Sequence, residues 1–264
     1  MIPAATPGLR DRTARPAGAR PWWRLLVRPM AVAAGLLVCC GVFLLLPGSP
    51  GDPVVLNGPS LVGSLGRHVL LCGVAFAVVI VTCVPLGILV GVTGCGLRFV
   101  VFPLANIGQA IPGIGVLALL WAYLGIGIVP TVVALIAFSA LPVLRNTMVG
   151  IQGVDPAAVG AARGMGMTRW QALWRVQVPL ATPLIMAGLR TSLVLIIGTA
   201  TLGSFIGGGG LGDVINAGIN ISDRIIFVGA VMVSALALLA DWALGLVELA
   251  VTPAHLRPQV GRVG

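Results

Sequence analysis

The chain is 264 residues long, 58% hydrophobic and only 9% charged, with a mean hydropathy of +1.08. A soluble core of this length cannot bury so much apolar surface, and soluble domains carry about 25% charged residues, so the composition excludes a water-soluble globular protein and predicts an integral membrane protein. The net charge of +9 raises a nucleic-acid role, but every basic residue is arginine and most lie in the N-terminal tail, in short loops or at the ends of apolar blocks, which is the positive-inside pattern of a membrane protein.

Residues 1–28 scatter six arginines among Pro, Ala and Gly, too polar and too broken to pack, and are expected to form a basic cytoplasmic tail. Residues 29–47 enclose an apolar block whose preceding basic region is long for a signal peptide and which lacks a convincing small-residue cleavage site, so it is read as an additional N-terminal transmembrane helix. The turn-rich run 47–66 predicts a first outer loop. Apolar blocks at 69–92, 99–124, 129–148, 184–206 and 225–251 follow, each near the length of about 20 residues that crosses a bilayer as a helix. With the tail inside, Arg98, Arg145, the arginines of 163–175, Arg190, Arg257 and Arg262 fall near the cytoplasmic face and only Arg67 and Arg224 outside. Both termini, including a short tail at 253–264, are therefore expected in the cytoplasm of a multi-pass plasma-membrane protein.

The five cysteines, Cys39, Cys40, Cys72, Cys83 and Cys95, lack CxxC spacing and His or carboxylate neighbours, so they read as small hydrophobes rather than metal ligands. Glycine and proline are dense in the spans and mostly imply close helix packing. Asn106, Gln109 and the interruption at 111–115, with Pro112, stand apart, because polar groups beside a broken helix line aqueous cavities more often than they face lipid. The run Gly207, Gly208, Gly209, Gly210 has no following Lys-Ser or Lys-Thr pair and is no phosphate-binding loop; it is either a bend for an outer gate or a flexible turn. Asp241 and Glu248 lie inside the last apolar block and need partners. Arg190 is the first candidate for Asp241 and Arg145 the second, as a structural ion pair. No nucleophile, base or metal constellation can be assembled, so no enzyme activity is expected.

One stretch is neither apolar nor a tail: 155–179, DPAAVGAARGMGMTRWQALWRVQVP. Asp155 before Pro156 is a helix start, with a carboxylate to accept from free N–H groups and a proline harmless in the first turn. Gly164 and Gly166 should interrupt that helix. Thr168 with Gln171 has capping-box form and should start a second one, carrying Trp170 and Trp174 one turn apart until Pro179 closes it. Arginine and tryptophan are common interface anchors, so this helix, bend and helix suits a docking element, although an amphipathic pair resting on lipid headgroups has the same composition.

The stretch resembles the EAA loop of ABC-importer membrane subunits: Ala161 and Ala162 match its alanines, Gly166 its glycine, Val176 and Val178 its aliphatic positions and Pro179 its proline. The family's Glu falls on Gly160, which removes a carboxylate and lowers helix propensity by about 1 kcal/mol. The resemblance implies an all-α type I importer permease of about six spans, with a five-helix core at 66–252 and a cytoplasmic coupling helix within 155–179. By that resemblance the loop residues, including Arg163, couple the permease to a cytoplasmic ABC ATPase dimer. ATP and Mg would bind in that partner, and no cofactor in this chain. An extracytoplasmic substrate-binding protein and a second permease subunit, a copy or a paralogue, are the other implied partners beside the lipid bilayer; no nucleic acid is implied. The stretches ANIGQAIPGIGVLALL and GTATLGSFIGGGGLGDVI resemble the subgroup that imports glycine betaine, choline and carnitine, with methionine or another amino acid as the alternative cargo.

Overall fold

The computed structural model describes residues 48–93 and 95–252, together with 34–35, 38–39, 41–43 and 45. The basic tail 1–28, most of the additional helix at 29–47 and the tail 253–264 lie outside the described residues.

The described chain is helical throughout. A single turn, α1 (Asp52–Val55), precedes α2 (Gly58–Thr93), α3 (Cys95–Ala110), α4 (Gly113–Leu124) and α5 (Ile128–Gln152). Two short helices, α6 (Pro156–Gly164) and α7 (Arg169–Ala172), are followed by a wide π turn (Leu173–Gln177), α8 (Val178–Thr199) and a 3-10 turn (Ala200–Ile206). The chain ends in α9 (Leu211–Ile221) and α10 (Asp223–Val251). Four continuous stretches, Gly58–Thr93, Ile128–Gln152, Arg169–Ile206 and Asp223–Val251, are long and apolar enough to cross a membrane.

Helix α5 is the centre of the bundle. Three buried clusters share it: Val79, Val143, Leu144 and Leu189; Leu71, Leu135 and Ile196; and Val116, Ala134 and Phe138. Lipid tails are as apolar as these side chains, so tight backbone approach has to hold the helices together. Gly87 and Gly91, four residues apart on α2, supply it. A Cβ on Gly87 would lie 2.7 Å from Thr147 and one on Gly91 2.9 Å from Ile151.

These contacts also fix direction. Gly87 meets Thr147 and Gly91 meets Ile151, so α2 and α5 run parallel, and residues 94–127 must return the chain to the side from which α2 began. They do so as α3 and α4, bent by 102°. The described residues thus hold four continuous stretches long and apolar enough to cross a membrane, and a fifth if the bent pair is counted as one broken span.

Three expectations are corrected. The outer loop expected at 47–66 ends early, because α2 already starts at Gly58; Asn57 Oδ1 accepts from the Ser60 N–H 2.8 Å away, a local cap that the turn-rich composition hid. The block 99–124 is no single helix: Pro112 stands at the bend, as the interruption expected at 111–115 suggested. Pro179 does not close the second short helix. The chain runs helically from Arg169 to Ile206, because the π turn, closed by Val178 N–H to Leu173 O, widens the helix just before the proline, where an α turn would meet a missing donor and a ring clash.

Candidate functional site

The loop between α5 and α8 is built from local signals. Asp155 Oδ1 accepts from the Ala157 N–H at 2.8 Å, and Pro156 fills the first turn of α6. Gly164 is the last residue of α6 rather than a break. The turn comes at Gly166, with φ +88°, where Gly166 N–H donates to Arg163 O at 3.0 Å and Met167 N–H to Ala162 O at 3.2 Å. These two bonds form a Schellman motif, which requires the left-handed conformation that glycine adopts without penalty. The next residue but one begins the reciprocal cap: Gln171 N–H donates to Thr168 Oγ1 at 3.2 Å and Thr168 N–H to Gln171 Oε1 at 2.9 Å. Five local hydrogen bonds therefore shape the bend, while Ala162, Ala172 and Leu173 seat it on the bundle.

What the bend displays is polar and aromatic. Ala162 and Ala172 are buried, whereas Ala161, Arg163, Arg169 and Trp170 are exposed. The Trp170 and Trp174 rings meet edge to face with centroids 5.6 Å apart. Gly160, where the EAA pattern has Glu, is also exposed, and a Cβ there would meet nothing within 4 Å.

At the opposite end of the bundle, Gly207, Gly209 and Gly210 all have positive φ, from +72° to +87°. Arg67 and His68, on α2, hold this corner. Arg67 Nε donates to Gly208 O at 2.9 Å. His68 is fully buried; its Nδ1 accepts from the Leu211 N–H at 3.3 Å and its Nε2 lies 3.1 Å from Ile197 O. Accepting at Nδ1 places the proton on Nε2, so the ring is the neutral Nε2–H tautomer and caps the free donor at the start of α9. The glycine run is thus a clamped corner leading into a helix that the sequence did not announce.

Gln109 and Pro142 explain each other. Proline has no N–H, so Pro142 leaves the Phe138 carbonyl in α5 without its helical donor, and Gln109 Nε2 donates to that carbonyl at 2.7 Å. The amide expected beside a pathway is exposed on α3 and also tied to this carbonyl. Asn106 is exposed one turn earlier on α3, and Pro112 O accepts from Gly115 N–H at 2.8 Å at the start of α4.

Arg190, on α8, meets both acids of α10. Its Nε and Nη2 donate to the two oxygens of Asp241 at 2.8 and 2.7 Å, and its Nη1 donates to Glu248 Oε2 at 3.0 Å. The two acids are seven residues apart, two helical turns, and so share a face. Arg145 is not the partner in this group. The sharing of one guanidinium by Glu248 was the part that sequence reasoning missed, although the i, i+7 spacing was the available signal.

Residues 83–253 match the family described as binding-protein-dependent transport system inner membrane component. The glycine betaine/carnitine/choline transport system permease protein OpuCB of Bacillus subtilis is 43% identical over 202 residues, covering 76% of this chain and 93% of that protein. The choline transport system permease protein OpuBB of the same organism is 41% identical with the same coverage, and the carnitine transport permease protein OpuCB of Listeria monocytogenes is 39% identical over 202 residues, covering 76% of this chain and 92% of that protein. Among solved structures, the inward-facing MetNI methionine ABC transporter aligns with a TM-score of 0.67 at 24% identity, over 75% of this chain and all of the matched one. An amino acid ABC transporter aligns at 0.63 and 21% identity, over 77% of this chain and all of the matched one. The fold is therefore the all-α, multi-pass fold of ABC-importer permeases, and the chain belongs to the family of binding-protein-dependent transport system inner membrane components.

Proposed function

We propose that the chain is the permease subunit of an ATP-driven importer of quaternary-ammonium osmoprotectants: glycine betaine, choline or carnitine. The observation that carries this reading is the 39–43% identity to permeases named for those solutes, over nearly their whole length. The structural likeness to a methionine transporter is 24% identical and bears on fold alone.

In this reading the loop 155–179 is the coupling element. Its α6 sits on a cytoplasmic ABC ATPase dimer, which binds ATP and Mg and hydrolyses the nucleotide, while this chain performs no catalysis. The bare face of α6 at Gly160 and Gly164 and the local hydrogen bonds that cap the bend support this role, since a docking element has to keep its shape while its partner moves. Both termini are then cytoplasmic, the additional helix at 29–47 makes six spans with the five-helix core at 66–252, and a second permease subunit completes the pathway. Asn106, Pro112 and the glycine corner at 207–210 flank that pathway.

An extracytoplasmic binding protein sets specificity. Quaternary ammonium groups are held by aromatic cages, and the aromatics of α4, Trp121 and Tyr123, are both exposed rather than gathered around a cavity. Uptake of labelled glycine betaine, choline, carnitine and methionine, in a transport-deficient strain supplied with this permease, its ATPase and its binding protein, tests the proposal. ATP-dependent uptake of an osmoprotectant, stimulated by high osmolarity, is the expected result. Uptake of methionine alone, or of none of the four, overturns the substrate.

A further inference from the structure

A cavity of about 550 Å³ opens where the end of α2 meets the loop. Its floor is apolar and includes Leu89 and Val92 of α2, both half-exposed members of a membrane-spanning helix. Trp170 and Trp174 form a wall, and Arg163 and Arg169 stand in its lining. No carboxylate lines it among the described residues, and neither arginine is among the ion-paired ones. The groove is therefore apolar along the exposed face of α2, aromatic at its wall and cationic toward the loop.

We infer that this groove binds an anionic phospholipid of the cytoplasmic leaflet, its acyl chain against Leu89 and Val92 and its phosphate between Arg163 and Arg169. The inference rests on the reading that the loop is cytoplasmic. Charge complementarity argues for this occupant: two arginines without a facing acid suit a phosphate, tryptophan prefers the headgroup boundary, and a purely protein partner would leave the spanning helix's apolar floor to be covered separately. The same loop keeps a face for the ATPase. On α6, Arg163 turns into the groove, whereas Gly160 and Gly164, the next i, i+4 pair around the helix, are exposed with nothing within 4 Å of a Cβ.

The test uses the full chain in nanodiscs and the fluorescence of its tryptophans, quenched by brominated phosphatidylglycerol or brominated phosphatidylcholine. Quenching should be stronger with the anionic lipid. Arg163→Gln with Arg169→Gln should raise the half-quenching fraction of brominated phosphatidylglycerol by about thirtyfold, at about 1 kcal/mol per arginine near a charged headgroup, and leave phosphatidylcholine quenching unchanged. Equal quenching by both lipids overturns the proposal. So does loss of the headgroup preference when the ATPase, or a second copy of the chain in the same nanodisc, is bound, because protein then fills the groove. Retention of the ATPase on purification, measured beside the quenching on the unmodified chain, separates the two readings: retained ATPase without headgroup preference sinks the lipid site and leaves the coupling loop standing.

Discussion

The two ends of the bundle use glycine in opposite ways. At the loop end, Gly166 turns the chain at φ +88° in open space, and a Cβ on Gly160, Gly164 or Gly166 would touch nothing within 4 Å. At the other end, Gly209 and Gly210 turn the chain equally sharply, but a Cβ would stand 2.5 Å from Arg67 Nε and 3.0 Å from His68 Nδ1. One bend is shaped by its own hydrogen bonds and leaves its surface bare for a partner; the other is clamped by side chains from α2, with Gly208, Gly209 and Gly210 buried. Substitutions at the clamped corner should therefore cost stability, and those at the bare bend should cost coupling.

The largest effect should come from Gly210→Val, where a β-branched residue at positive φ meets His68; strain and overpacking together cost about 4 kcal/mol, read as loss of folded protein after detergent extraction. Arg190→Ala, between the two ends, strips two acids of a shared partner and should cost about 3 kcal/mol, measured as a lower thermal unfolding midpoint. If it costs nothing, helix packing alone holds α10 to α8. His68→Leu removes the acceptor for Leu211 N–H, a loss of about 2 kcal/mol on the same assay. At the bare bend, Gly166→Val should cost about 1–2 kcal/mol of strain, insert normally and abolish uptake; normal uptake would break the contrast between the ends. The smallest effect belongs to Gly160→Glu, which meets no neighbour, gains about 1 kcal/mol of helix propensity at most and should raise ATPase retention on purification. Destabilisation of the size expected at Gly210 would show that the loop is more tightly enclosed than its exposed surface implies.

Legibility in the sequence followed the range of the interactions. Asp155, Pro156, Thr168 and Gln171 act on neighbours within three residues, so both helix starts of the loop could be read directly. Each continuous span follows from hydropathy. Arg190 and Asp241 were paired in advance because a charge in lipid needs an opposite charge. The start of α2 at Gly58 was hidden because Gly, Pro and Ser at a helix start look like a loop. Helix α9 was hidden because eleven residues after a glycine run carry too weak a pattern, and its N-terminal cap comes from His68, 143 residues away. The bond from Gln109 was hidden because its partner, the carbonyl freed by Pro142, lies in a different helix.

That last contact has a mechanical consequence. The elbow between α3 and α4 is fastened at Gln109 to the weakest turn of the central helix, the one where Pro142 withholds a donor. In a medium without water the Phe138 carbonyl has no substitute for that amide. Elbow and central helix are thus pinned together at one bond: moving the bend between α3 and α4 away from the middle of α5 would take the donor from that oxygen.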